Sequence, residues 1–403
     1  MESVGRITLA PEMTSSAANT VIAALTAGGS EVRFVGGCVR DCLLGRPISD
    51  MDIATPDPPE TVMALLQAAK LKAVPTGLKH GTVTAVAKGQ PFEVTTLRED
   101  VETDGRHAEV AFTDDWLADA SRRDFTFNAM SARPDGTLFD AFGGREDLDA
   151  GHVRFVGEPA ERIAEDYLRI LRFFRFLAHF GEAAPDPDAM RACADARDEL
   201  PRLSAERVRA ELLKLLAAAN PVPALSAMRE TGVLGVVLPE AGDFGRLLAL
   251  TGIDDRDPVR RLASLIERDG EGVADRLRMS NVEKARLGAL VPPSVTLDAA
   301  MDEKARRQVL YDTGADLYRD LVLLAWADDG ERRADAWRAM LETANRWDDP
   351  KLPIRGQDVV ELGVPKGPEV GRVVDTVEDW WRAEDFQPDR DACLAKAKQL
   401  LSS

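Results

Sequence analysis

The first third of the chain alternates short apolar runs with amphipathic stretches, and the rest repeats helical spacing almost throughout. Residues 17–28 place small and apolar side chains at helical intervals and predict an N-terminal helix. Val32-Arg33-Phe34-Val35 predicts a short buried strand. Residues 50–55, 82–87 and 92–97 predict three more, the last two joined by a turn at Lys88-Gly89-Gln90-Pro91. Residues 58–69 suit a helix opened by a proline and an early glutamate. After Gly157-Glu158-Pro159 strand signals give way to successive helices. Residues 203–216 begin with a serine N-cap and carry apolar residues at helical spacing. Asn220-Pro221 ends that helix, residues 231–239 close the next helical hairpin, and Pro292-Pro293 is a hinge candidate. There is no internal repeat. The pattern predicts an α+β chain, with a small mixed sheet and its helices over 1–150 and an all-α remainder.

Composition narrows the class. With 403 residues the chain has material for several packed units, and a hydrophobic content of 45% is that of a soluble globular protein. No window approaches the run of about 18 apolar residues needed to span a membrane. The first residues lack the features of an export signal, which points to the cytoplasm. Four cysteines (Cys38, Cys42, Cys193 and Cys393) are too few and scattered for a disulfide framework. Cys38 and Cys42 share a helical face without a His or further Cys nearby to complete a zinc site, which makes them packing residues. The net charge of −18 argues against indiscriminate binding of nucleic acid. Arginines nevertheless concentrate at 154, 162, 169, 172 and 175, and again at 202, 207 and 209 with Lys214, so local potential need not follow the total.

Candidate chemistry begins directly after the first strand. Gly36 and Gly37 allow a tight turn and close approach of backbone to a ligand, and residues 39–44 open a helix whose N–H groups point back at that turn. Asp50-Met51-Asp52-Ile53 follows with the two-residue period of a strand, placing Asp50 and Asp52 on one face. Two hard oxygen ligands beside a phosphate-binding turn suit Mg²⁺-dependent nucleotidyl transfer. Gly-Gly alone reads as an ordinary turn and Asp-x-Asp alone as a solvated pair; their combination around Arg40 and Asp41 is far more specific. Residues 36–52 resemble, without a gap, the first motif of the class II tRNA nucleotidyltransferases, the bacterial CCA-adding enzymes and poly(A) polymerases of the DNA polymerase β-like superfamily.

The resemblance extends from about residue 30 to 240. It implies a nucleotidyltransferase head over 1–150, a helical, base-selecting neck over 151–225, a body over 226–290 and a tRNA-binding tail over 291–403. It implies Asp50 and Asp52 as Mg²⁺ ligands, with Glu93 as a third catalytic carboxylate, and Gly36, Gly37 and Arg40 around the triphosphate. Glu93, between Phe92 and Val94, also reads as a solvent-facing residue of an amphipathic strand. Residues 98–115 are polar and patternless, hence a loop, which the resemblance makes the flexible loop used in passing from C to A addition. Arg122-Arg123-Asp124-Phe125-Thr126-Phe127-Asn128 is similar to the family's next motif, in which Arg123 contacts the nucleotide and Asp124 orients the ribose or that arginine.

In Glu165-Asp166-Tyr167-Leu168-Arg169 the spacing predicts Asp166, Arg169, Arg172 and Arg175 close to one helical face. An exposed ion-pair stripe is one reading of it. The family's Glu-Asp-x-x-Arg motif makes Asp166 and Arg169 a protein template for the incoming base, with Arg172 and Arg175 part of the nucleotide site. A carboxylate accepts from the exocyclic amine of C or A and a guanidinium donates to their ring acceptors, so CTP and ATP are accepted while UTP and GTP are refused. The implied partners are tRNA, CTP and ATP, with no membrane, and the chain is read as a monomer. The expected activity is addition of C, C and A to tRNA 3′ ends. A poly(A) polymerase of the same class and an RNA-binding protein without catalysis remain as alternatives. The absence of any His-Asp doublet excludes an appended HD phosphohydrolase.

Overall fold

The computed structural model describes residues 1–103 and 108–402. The chain is α+β and divides into two compact units, Met1–Pro239 and Glu240–Ser403. Boundaries expected near 150 and 225 fall inside the first unit, and the one expected near 290 falls inside the second. Among the described residues no helix is long and apolar enough to cross a membrane.

The first unit is built on a mixed sheet. Its strands are β1 (Ser3–Arg6), β2 (Arg33–Val35), β3 (Asp52–Thr55), β4 (Lys72–Gly77), β5 (Thr82–Ala87) and β6 (Gln90–Thr96). After β7 (Arg98–Thr103) and β8 (Ala108–Phe112), which stand apart, β9 (Ser131–Ala132) and β10 (Thr137–Phe139) complete it. The order is β1-β10-β9-β2-β3-β6-β5-β4. Among the described residues of this sheet only β3 and β6 pair in parallel. The β5–β6 hairpin closes on Lys88 and Gly89, both at positive φ, with Ala87 opposite Gln90. This is the backbone a two-residue hairpin turn demands.

Alternation along the strands decides which face is which. Val83, Ala85, Phe92 and Val94 are buried, and helices Ser16–Thr26 and Pro59–Ala68 pack against β5 and β6. The pleat sends Asp52 and Glu93 to the opposite face. There Ala54 joins Val35, Leu97 and Trp116 in a small apolar cluster.

The loop expected over 98–115 needs correction. Residues Arg98–Thr103 and Ala108–Phe112 form a two-stranded antiparallel ribbon with Arg98 opposite Phe112. Its strands pair only with each other, and the sequence there is too rich in charge to show alternation. Residues 104–107 of the expected loop lie outside the described residues.

Beyond the sheet, helix Leu168–Phe180 packs on helices Ala205–Leu216 and Val222–Glu230. Ser204 caps helix Ala205–Leu216, its side chain accepting from the Arg207 N–H. An aromatic cluster joins helix Leu168–Phe180 to the segment after Arg123: Phe125 and Phe127 each meet Phe176 edge-on at 5.1 Å. The second unit is helical. Trp337, Trp381 and Tyr318 lie in its core, and the Arg261–Asp254 pair is wholly buried. Trp326 is buried as well, while Trp347 and Trp380 are half-buried. Pro292-Pro293 lies within this unit, where Pro293 bridges Leu290.

Candidate active site

Gly36 leaves β2 at φ +70° and starts helix Gly37–Leu43. A Cβ there would stand 2.9 Å from Arg123 Nη1 and 3.9 Å from Asp52 Oδ2, and one on Gly37 would stand 3.6 Å from Arg40 Nη2. The two glycines therefore do more than turn the chain. They leave a space about which an aspartate and two arginines gather, and backbone can approach a phosphate there.

Asp52 opens β3, and its ladder partner on β6 is Glu93. Direct neighbours on parallel strands put their side chains side by side, so the third carboxylate is brought to Asp52 by register. Asp50 is exposed in the segment before β3, not within the strand as its spacing predicted, and accepts from the Ser49 hydroxyl at 2.9 Å. Burial pushes the Asp52 carboxyl up to about 6, with repulsion from Glu93 adding to it and Arg123 only partly offsetting it. An all-oxygen donor set with excess negative charge is what a hard divalent cation requires. Among the described residues no three His, Cys, Asp or Glu side chains form a metal cluster by themselves.

Arg123 is anchored from behind. Asp119, buried, accepts from Arg122 at 2.7 Å, from Arg123 at 3.2 Å and from the Arg98 N–H at 3.3 Å. Burial works against its charge, and Arg123 with Arg122 outweighs that, holding Asp119 below the usual carboxylate range. Asp124 is buried too. It accepts from Arg172 Nε at 2.6 Å and Asn128 Nδ2 at 2.9 Å. Burial again opposes ionisation, and Arg172 prevails with the Asn128 amide in support, so Asp124 also titrates low.

The expectation that Asp166 shares one helix with Arg169, Arg172 and Arg175 fails. Helix Pro159–Glu165 ends at Asp166, which is extended, and the next helix, Leu168–Phe180, begins two residues later. Asp166 Oδ1 accepts from the Leu168 N–H at 3.1 Å, a side-chain turn that competes with continuous helix. Its Oδ2 accepts from Arg207 at 2.7 Å. Arg169 is paired with Glu165 and donates to the carbonyls of Arg162 and Arg122. Arg175 is paired with Glu211, an acid 5% exposed on helix Ala205–Leu216. These arginines are largely buried and tied to acids from several elements, which is not an exposed ion-pair stripe.

Asp119, Asn128, Glu165, Arg207 and Glu211 take part in this network without having been singled out from the sequence, although Asn128 and Glu165 stand inside the two motifs quoted above. Glu211 carried a signal, being an acid beside the apolar residues Leu212, Leu215 and Leu216.

Comparison with known proteins decides the family. A family model described as the Poly A polymerase head domain matches residues 32–154, and one described as the probable RNA and SrmB- binding site of polymerase A matches 184–244. The mitochondrial CCA tRNA nucleotidyltransferase 1 of Danio rerio is 36% identical over 92% of this chain and 87% of its own length. The chain belongs to the CCA-adding tRNA nucleotidyltransferases. A CCA-adding enzyme of Lactobacillus gasseri is 31% identical over 93% of this chain and 94% of its own. The solved Bacillus stearothermophilus CCA-adding enzyme in complex with CTP superimposes with a TM-score of 0.80 at 29% identity, covering 98% of both chains. The protein is thus a nucleotidyltransferase, and enzymes of this kind work with a divalent metal.

Proposed function

We propose that this nucleotidyltransferase adds C, C and A to the 3′ ends of tRNA from CTP and ATP, without a nucleic-acid template, in the cytoplasm and as a monomer. The observation that carries this reading is the gathering of Asp52, Glu93, Arg123 and Gly36 at one end of the site, with Asp124 tying that end to the arginines of helix Leu168–Phe180. Asp50 and Asp52 would hold a divalent ion such as Mg²⁺, which when bound would supply Lewis-acid stabilisation of the attacking 3′-oxygen and of the triphosphate. The backbone at Gly36 and Gly37 admits the triphosphate, and Arg40 and Arg123 neutralise its oxygens. The tRNA 3′-hydroxyl oxygen bonds to the α-phosphorus as the α–β bridging bond breaks and pyrophosphate leaves. Glu93, exposed beside Asp52, takes the hydroxyl proton.

Base choice falls to Asp166 and Arg169. A carboxylate has about four acceptor sites, so Asp166 can keep its bonds to Leu168 N–H and Arg207 and still accept an exocyclic amine. Arg169 donates to the ring acceptors, and Arg172 and Arg175 hold the helix and the nucleotide in register. Uracil presents a carbonyl to the carboxylate and is refused by roughly 10⁴ or more where the buried partners stay unpaired. In this reading the head is 1–150, the base-selecting neck 151–225 and the body 226–290, with a tail over 291–403 that holds tRNA.

The test supplies tRNA transcripts ending before CCA with one labelled nucleotide at a time. Two C additions from CTP followed by one A from ATP, stopping there, support the reading. Long A tails on any RNA overturn it in favour of poly(A) polymerase, and no incorporation at all overturns it in favour of an RNA-binding role.

A further inference from the structure

One polar line runs from the glycine turn to the arginine helix. Arg40 Nη1 donates to Asn128 Oδ1 at 2.8 Å. Asn128 Nδ2 donates to Asp124 Oδ1 at 2.9 Å, and Asp124 Oδ2 accepts from Arg172 Nε at 2.6 Å. A guanidinium only donates and a carboxylate only accepts. The amide between them therefore has a single orientation that satisfies both sides. Asn128 is 6% exposed and Asp124 8%, so water is a poor substitute for either bond.

The backbone under the amide is fixed as well. Asn128 ends a 3₁₀ turn, Thr126–Asn128, in which its N–H bonds the Phe125 carbonyl and Thr126 donates to the buried Asp147. A second, apolar connection runs in parallel, with the Arg40 and Arg172 guanidinium carbons 5.3 and 5.5 Å from the Phe176 ring centre. A ring supports both cations without distinguishing their directions. The amide is the directional link.

We infer that Asn128 is a positioning residue that couples Arg40, at the triphosphate, to Arg172 on the base-selecting helix, so that both ends of the nucleotide are held by one hydrogen-bonded unit. This rests on the functional reading above. Its consequence is that loss of the amide reduces discrimination between bases as well as affinity for nucleotide, although the Asn128 side chain is itself spent on Arg40 and Asp124.

The test compares Asn128→Ala, Asn128→Asp, and Asn128→Asp combined with Asp124→Asn, each assayed for CTP and UTP incorporation on tRNA transcripts beside the wild-type protein. Asn128→Ala is expected to raise the KM for CTP about tenfold and lower the preference for CTP over UTP about tenfold, the scale of one lost buried hydrogen bond. Asn128→Asp is expected to do at least as much harm, because a second carboxylate then faces Asp124. The double variant restores the direction of donation along the line: Arg40 donates to a carboxylate, which accepts from the amide at 124, whose oxygen accepts from Arg172; the Phe125 N–H, which donates to Asp124 Oδ1 at 2.9 Å, loses its acceptor. It is expected to recover part of the CTP preference lost in Asn128→Asp, the unpaired Phe125 N–H keeping it short of wild type. Wild-type KM and preference in Asn128→Ala, with only a lower melting temperature, overturn the coupling, and so does a double variant no better than Asn128→Asp. Failure of the wild-type protein to incorporate C overturns the functional reading itself, a result that is distinct from either.

Discussion

Asp52 holds its charge at a cost to the fold, and removing that charge should stabilise the metal-free protein. Its carboxyl titrates near 6 in the folded state against 3.8 for a solvated aspartate, first because it is buried and then because Glu93 and Asp50 repel it. For a raised carboxyl the native state loses stability as pH climbs from the unfolded value through the folded one. The deficit is absent well below 3.8 and complete above about 6. At about 1.36 kcal/mol per tenfold in proton affinity it comes to at most about 3 kcal/mol at pH 8, and to roughly half that at pH 5. Asp52→Asn keeps the shape and removes the charge. In EDTA at pH 8 it should raise the melting temperature by up to about 6–12 °C, given about 2–4 °C per kcal/mol for a unit of this size. The gain should shrink toward half at pH 5. Adding Mg²⁺ should stabilise wild type and leave the variant unmoved, closing the gap, while the variant loses transfer and keeps tRNA binding. Thermal unfolding followed by circular dichroism across pH checks all of this. A gain of equal size at pH 5 and pH 8, or none at pH 8, would refute the account of Asp52 as an ionised group held against its surroundings.

Three further outcomes follow from the geometry. Gly36→Ala forces a side chain into positive φ with its Cβ 2.9 Å from Arg123 Nη1, so the KM for CTP should rise about tenfold or more, and unchanged CTP binding by calorimetry would show that the turn has room to spare. Asp166→Ala should blur selection, bringing CTP and UTP incorporation within about tenfold of each other while Mg²⁺ dependence stays as it was; intact preference for CTP sinks the template assignment. Glu211→Gln leaves the Arg175 guanidinium mostly buried beside a neutral group and should cost about 3 kcal/mol in urea unfolding, with an unchanged midpoint contradicting a structural role for the pair.

Much of the head could be read from the chain because its signals are local. The Gly-Gly turn, the hairpin at Lys88-Gly89 and the Ser204 cap each depend on a few adjacent residues. Glu93 was placed by family likeness alone; what brings it to Asp52 is the parallel register of β3 and β6, a relation no local pattern encodes. The ribbon after β6 escaped for a different reason. Its residues, Arg98–Thr103 and Ala108–Phe112, are too rich in charge for period two to appear in the sequence.

The helix break at Asp166 was misread, although its cause stands in the sequence. An aspartate just before an apolar run can cap the N–H two residues on, and here it does so to Leu168, ending one helix and beginning the next. Spacing by threes assumed a continuous helix and so aligned Asp166 with three arginines it does not share a face with. The arginines themselves held a better clue. Residues 168–180 contain three arginines and no acid, so a surface stripe of the usual kind, with Asp or Glu three or four residues away inside the same helix, was never available to them. Cations that are largely buried without in-helix partners must draw counter-charge from elsewhere. Glu165 lies 4 residues from Arg169, Asp124 lies 48 from Arg172, and Glu211 lies 36 from Arg175. Those pairs, together with the packing of Phe125 and Phe127 on Phe176, hold these elements together, so the arginines proposed to take part in base selection draw their counter-charge from three separate stretches of chain.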